Sequence, residues 1–139
     1  DWEDLSVLDL FAGTGAFSLE CFSRGAQAIL AVDIQPLHVK FINDNFKNFE
    51  ANEAHALKQD VFKFLKDPEE TFDLIFADPP FDLPRLEMLP ELILDSTAAH
   101  DETIVVIEHG KRTDLSGNRG FIQMKSYSNV RFSFFKKTV

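Results

Sequence analysis

The segment Leu5-Ser6-Val7-Leu8-Asp9-Leu10-Phe11-Ala12-Gly13-Thr14-Gly15-Ala16-Phe17 passes from a mostly apolar run through two closely spaced glycines into a stretch of helical character. A short apolar run that stops at glycines has the form of a strand buried on both faces, as in a parallel sheet. The glycines let the chain turn tightly, and a helix is expected from about Gly15 to Arg24, closed by Gly25. The same alternation recurs on the carboxyl side. Residues 28–33 read as a second strand, and Pro36 suits the first turn of a second helix. On that helix Leu37, Phe41, Ile42, Phe46 and Phe49 are expected to form one core-facing stripe.

A weaker strand is expected over 55–60, a short helix over 61–65, and a stronger strand over 72–78 that two prolines end abruptly. Residues 86–94 have helical periodicity, with Pro90 either beginning the helix or kinking it. Residues 103–108 are a buried strand, and 121–125 and 130–135 read as an antiparallel pair joined at Tyr127-Ser128-Asn129. The expected fold is α/β: a Rossmann-like, doubly wound, mostly parallel sheet covered on both faces, with an antiparallel C-terminal strand pair. Ligands of such sheets bind at the carboxyl ends of the strands, near the switch point.

The chain has 139 residues, 45% of them hydrophobic, which suits one substantial core and a single domain over 1–139. No apolar run approaches the roughly 20 residues needed to cross a bilayer, and Asp1-Trp2-Glu3-Asp4 lacks the basic start of a signal peptide, so the expectation is a soluble, cytoplasmic protein with no membrane partner. Cys21 stands alone, and His38, His55, His100 and His109 have no metal-ligand spacing, so neither disulfide nor metal chemistry is expected. The net charge of −9 is uneven: residues 1–110 carry −15 and residues 111–139 carry +6, with Asp114 their one acid. The basic end fits an RNA-facing patch and fits equally a lysine-protected strand edge.

The turn Asp9-Leu10-Phe11-Ala12-Gly13-Thr14-Gly15-Ala16-Phe17 allows a ligand to approach the backbone closely, although a structural strand-to-helix connection uses the same residues. No Gly-Lys-Ser/Thr follows, so it is not a phosphate loop. Asp33 stands 20 positions after Gly13 at the end of the second strand, where a carboxylate can take both hydroxyls of a ribose. That supports an adenosine-containing cofactor, NAD or S-adenosylmethionine alike; Asp33 is equally suited to capping the next helix. Asp60 can accept from an adenine amine while Val61 packs on the ring, or Asp60 can serve as an N-cap.

Asp78-Pro79-Pro80-Phe81 is more specific. A turn used only for structure rarely needs an acid, two rigid prolines and an aromatic in sequence. The exocyclic amine of guanine or adenine is a poor nucleophile because its lone pair is delocalised into the ring. If the Asp78 carboxylate and a carbonyl of the proline pair each accept one N–H, the nitrogen can pyramidalise toward a sulfonium methyl, and positioning supplies most of the rate. A carboxylate with an ordinary pKa of about 3.9 is too weak to deprotonate the neutral amine; proton release follows methyl arrival. Phe81 would stack on a base that is flipped out or unpaired.

On Asp9-Leu-Phe-Ala-Gly-Thr-Gly-Ala-Phe-Ser-Leu-Glu20, Ser23-Arg-Gly-Ala26, Asp78-Pro-Pro-Phe81 and the strand end Ile107-Glu108, almost the whole chain resembles the class I S-adenosylmethionine-dependent methyltransferases. Within them it is most similar to the bacterial 16S rRNA guanine-N2 methyltransferases, the D-type enzymes of the small ribosomal particle. The resemblance implies transfer of a methyl group from S-adenosylmethionine to guanine N2 of 16S rRNA in an assembling small subunit. It also implies that Asp9, Phe11, Ala12, Gly13, Gly15 and Phe17 form the methionine-end pocket, that Asp33 and Ile34 contact the ribose, that Asp60 and Val61 contact the adenine, and that Asp78, Pro79, Pro80 and Phe81 hold the target amine.

Two departures stand out. The family places a basic, arginine-rich segment before the first strand, whereas this sequence starts at Asp1-Trp2, and the usual Tyr-Gly before the last strand is Tyr127-Ser128. The Asp-Pro-Pro-Phe motif is shared with adenine-N6 DNA methyltransferases, which are the nearest alternative. An NAD-dependent oxidoreductase fits the glycine turn and Asp33, but Ser18 stands where its third glycine or alanine belongs. A cofactor-binding module without catalysis is the alternative outside enzymes.

Overall fold

A computed structural model describes residues 2–137. The chain runs β1 (Ser6–Leu10), α1 (Ala16–Ser23), β2 (Ala28–Asp33), α2 (Pro36–Asn48), β3 (Ala54–Lys58), α3 (Val61–Phe64), β4 (Phe72–Ala77), a 3-10 turn (Leu86–Met88), α4 (Leu89–Asp95), β5 (Ala99–Gly110), β6 (Phe121–Tyr127) and β7 (Val130–Lys136). The described strands form one sheet in the order β3-β2-β1-β4-β5-β7-β6. β1 pairs in parallel with β2 and β4, β2 with β3, and β4 with β5, while β7 is antiparallel to both β5 and β6. The chain moves outward from β1 to β3 and then returns to β4 on the other side of β1. This reversal opens a crevice between the carboxyl ends of β1 and β4.

Alternation along the strands divides the interior in two. Leu8, Leu10, Val32, Ile75, Val105 and Ile107 face α3 and α4 with Val61, Phe64, Leu89 and Ile93. Val7, Ile29 and Ala31 face α1 and α2 with Cys21, Ile42 and Phe46. Pro90 lies in the first turn of α4, after the 3-10 turn. β5 is longer than expected because Ala99 pairs with Phe72 at the start of β4, ahead of an irregularity between Phe72 and Leu74 after which the ladder resumes at Ile104.

Two expectations are corrected. Ile42 and Phe46 are core, but Leu37, Phe41 and Phe49 are 80%, 52% and 58% exposed. At 3.6 residues per turn, Leu37 and Phe41 project on the order of 100–180° around the helix from Ile42 and Phe46, so both pairs cannot face the sheet, and Phe49 is the C-cap. The sheet is also not covered throughout on both faces. Beyond α1, the faces of β4, β5 and β7 carry Leu74, Phe76, Ile104, Val106, Phe132 and Phe134 in an open apolar groove of about 610 Å³. No helix of the described residues is long and apolar enough to cross a membrane.

Candidate functional site

The connection from β1 to α1 holds three residues in left-handed backbone: Phe11 (φ 58°), Gly13 (φ 58°) and Gly15 (φ 82°). Gly15, the N-cap of α1, packs so tightly that a Cβ there would lie 2.7 Å from Ile42 Cγ1, whereas a Cβ on Gly13 would meet nothing within 4 Å. Gly15 is therefore fixed by packing, while Gly13 borders open space. Phe11 bears the cost of an unfavourable backbone for a side chain, which is the kind of strain that collects at ligand sites. The loop is fastened to β2, with Ala12 N–H donating to the Val32 carbonyl at 3.0 Å and Gly13 N–H donating to Asp33 Oδ1 at 3.0 Å.

Asp33 thus organises the crevice. Its second oxygen accepts from Gln35 N–H at 3.0 Å, at the start of α2, and meets His38 Nδ1 at 3.0 Å. Both readings of Asp33 from the sequence meet here, since it ties down the helix entry and faces the cleft. His38 was not singled out from the sequence. The usable signal was its place on the first turn of α2, five residues beyond Asp33. Asp60 caps α3 by accepting from Lys63 N–H at 3.0 Å, and Val61 is buried beside it.

At the end of β4, Asp78 N–H donates to the Leu10 carbonyl at 3.3 Å and ties the motif to β1. Leu83 N–H donates to the Pro80 carbonyl at 3.0 Å. That turn engages Pro80, and no N–H of the described residues reaches the Pro79 carbonyl, which makes Pro79 the acceptor available beside Asp78. Phe81 stands out of the fold, 87% exposed. Partial burial raises the Asp78 pKa. Glu108, level with it at the end of β5, is raised by burial and then by the charge of Asp78.

Phe11, Asp33, Ile34, Gln35, His38, Gln59, Asp60, Val61 and Asp78 to Phe81 line one cleft of about 460 Å³, within the usual range for a small-molecule site. Of the residues expected there, Asp9, Ala12, Gly13, Gly15 and Phe17 do not line this cleft. Asp9 is buried behind the loop, where it accepts from Ser18 Oγ at 2.7 Å, and burial lifts its pKa to about 7. Phe17 stacks on Phe76 with ring centroids 4.0 Å apart and lines the apolar groove on the sheet face. His109 closes β5 and contacts Ser133 Oγ at 2.7 Å, which makes it a packing residue. The cleft wall holds Asp33, Asp60 and Asp78 and neither Lys nor Arg. Its electrostatics favour a cationic ligand and oppose a pyrophosphate.

Comparison with known proteins gives the family. The family model described as "Conserved hypothetical protein 95" matches residues 1–136. The chain is 28% identical over 101 residues to the protein named "Ribosomal RNA small subunit methyltransferase D" of Buchnera aphidicola, covering 73% of this chain and 52% of that protein. It is 29% identical over 105 residues to the Escherichia coli K12 protein of the same name, covering 76% and 53%. The chain thus spans about half the length of these relatives. Among solved structures, a "conserved hypothetical protein" of Streptococcus pyogenes superposes with a TM-score of 0.84 at 27% identity, over 95% of this chain and 85% of that one. The family match across residues 1–136 places this chain, with its Asp33-pinned glycine turn and its Asp-Pro-Pro-Phe segment at the end of β4, in the Conserved hypothetical protein 95 family.

Proposed function

We propose that this chain transfers a methyl group from S-adenosylmethionine to the exocyclic amine of a nucleobase, and that the base is guanine, modified at N2, in the 16S rRNA of an assembling small subunit. The observation that carries the reading is the pairing of the Asp78 carboxylate with the unengaged Pro79 carbonyl at the mouth of an acidic cleft. Two acceptors on consecutive residues at a strand end suit the two N–H groups of an amine. The small-subunit rRNA target follows the names of the relatives above, and guanine N2 follows the resemblance drawn from the sequence.

When bound, S-adenosylmethionine supplies an electrophilic methyl on a cationic sulfonium. The residues present suit it: Asp33 for the ribose hydroxyls, Asp60 and Val61 for the adenine, and the open side of Gly13 for close backbone approach. The carboxylates around the cleft favour its positive charge. Asp78 and Pro79 orient the amine so that its lone pair leaves the ring plane, and orientation of this kind is worth several kcal/mol, about 7–11 at its fullest. Asp78 or water accepts the proton as the methyl arrives, since the amine becomes acidic only then. Phe81, held out on the loop by the two prolines, offers a stacking face for the unpaired base.

The test is methyl transfer from tritiated S-adenosylmethionine to immature small-subunit particles, free 16S rRNA and duplex DNA, followed by nucleoside analysis. N2-methylguanosine in rRNA supports the proposal. N6-methyladenine in DNA would replace it with the DNA-modifying alternative. Calorimetric binding of NAD in preference to S-adenosylhomocysteine would refute the cofactor assignment.

A further inference from the structure

The seven cations of residues 111–137 separate by position. Those away from the catalytic edge are engaged: Arg119 bonds Asp95 and lies 3.7 Å from Glu91, Lys136 lies 3.1 Å from Glu102, and Lys137 donates to the Ala99 carbonyl at 2.8 Å. Lys125 lies over the Phe134 ring. Lys111, Arg112 and Arg131 differ: among the described residues none has a carboxylate within ion-pair distance. Arg131 Nε is buried and has no hydrogen-bond partner. Asp114, their one acidic neighbour in this segment, is occupied by Ser116 N–H and Oγ, and Arg131 acts on it only through its charge.

These three residues share one edge. Ala77 pairs with Ile107, so Asp78 is level with Glu108. Glu108 pairs with Phe132 and His109 with Arg131, which sets Arg131 one step beyond that level. Two strand spacings separate β4 from β7, roughly 10 Å. Lys111 and Arg112 follow directly from Gly110 at the end of β5, three and four residues beyond Glu108. Unpaired cations therefore stand beside the catalytic mouth, in a protein whose net charge is −9. Charge placed so locally is not needed for solubility, and the lysines that protect the far end of the sheet already have partners.

We infer that Lys111, Arg112 and Arg131 form a phosphate-binding edge that holds the phosphodiester backbone of the substrate RNA while the target base enters at Asp78. This rests on the proposed nucleic-acid methyltransferase function. The terminal nitrogens of Arg112 and Arg131, which hold no ion pair among the described residues, match phosphate oxygens, and lysine adds an unspecific charge. Of the two readings of the basic C-terminal segment, this assigns the RNA-facing one to three residues and the structural one to Arg119, Lys136 and Lys137.

The test is filter binding of 16S rRNA across a salt series by wild type, by Lys111→Glu/Arg112→Glu on the exposed loop, and by Lys136→Glu/Lys137→Glu at the far end. Calorimetric S-adenosylhomocysteine affinity serves as the check on fold and cofactor site. The loop variant should bind rRNA about tenfold or more weakly, with the slope of log K against log salt flattened by about 1.4 for two lost contacts, and with cofactor affinity unchanged. The far-end variant should bind rRNA like wild type. Equal loss in both variants, unchanged binding in the loop variant, or wild type that takes up S-adenosylhomocysteine but retains no rRNA at low salt would overturn the inference. Retention of duplex DNA in place of rRNA would overturn the assignment to RNA. If wild type bound no S-adenosylhomocysteine, the failure would instead lie with the proposed function.

Discussion

Replacing Gly15 by alanine separates packing from backbone strain at the turn that forms the cleft. The added Cβ would lie 2.7 Å from Ile42 Cγ1 and 3.3 Å from Cδ1, and Ile42 is 1% exposed with no room to retreat. The left-handed backbone at φ 82° costs an L-residue about 1–2 kcal/mol, and overpacking adds about 1–3 kcal/mol. Gly15→Ala should therefore destabilise by about 2–5 kcal/mol in urea unfolding, a large part of the stability of a domain this size. Gly13→Ala shares the left-handed backbone but meets nothing within 4 Å, so it should cost about 1–2 kcal/mol. Gly13 is a proposed point of close cofactor approach, so the added methyl should weaken S-adenosylhomocysteine more than it weakens the fold. Shortening Ile42 to alanine costs stability by itself, yet combining it with Gly15→Ala should recover the overpacking part, a coupling of about 1–3 kcal/mol. Equal losses at the two glycines, or strict additivity in the double variant, would refute the steric account.

Asp9 is raised to about 7 mainly by burial, so the folded state holds a proton there that the unfolded chain loses near 3.8. The stability this proton contributes is full below about 4 and is lost as pH rises toward 7. Asp9→Asn should remove that dependence and melt higher than wild type at pH 8, and a variant that melted lower at pH 8 than at pH 5 relative to wild type would contradict the assignment. Phe81→Ala should leave thermal stability unchanged because the ring is 87% exposed, while kcat/KM for rRNA falls about 5- to 150-fold through lost base stacking; an unaltered kcat/KM would remove Phe81 from the site. Ser128 holds left-handed backbone at φ 53° in the β6–β7 turn, and Ser128→Gly should raise stability by about 0.5–1 kcal/mol in urea titration.

Much of the fold was legible because parallel strands buried on both faces leave apolar runs, and β1, β2 and β4 end at Gly, Asp and Pro signals that local chemistry explains. The hairpin at Ser128-Asn129 followed from its flanking alternation. What the sequence concealed depends on neighbours distant along the chain. On α2, Leu37 and Phe41 look like core until the helix is turned so that Ile42 and Phe46 meet the sheet. Phe17 looks like part of the glycine motif, yet its ring finds Phe76 on β4. The motif residues Asp33, Asp60 and Asp78 converge as a strand-end rule predicts, whereas His38 entered the cleft unseen, because a helix's rotation decides which first-turn side chain faces β2. The engagement of Pro80 by Leu83 was also invisible, since it depends on a turn that Asp82-Leu83-Pro84 does not announce.

The central claim is that Asp78 positions an amine and does not hold the cofactor. Its most direct test is Asp78→Ala, assayed in parallel for S-adenosylhomocysteine affinity and for single-turnover methyl transfer to immature small-subunit particles. Cofactor affinity within about twofold of wild type, together with transfer slowed by about 10²–10⁴-fold, is the predicted result. Full transfer by the variant, or loss of transfer accompanied by an equal loss of cofactor binding, would contradict it.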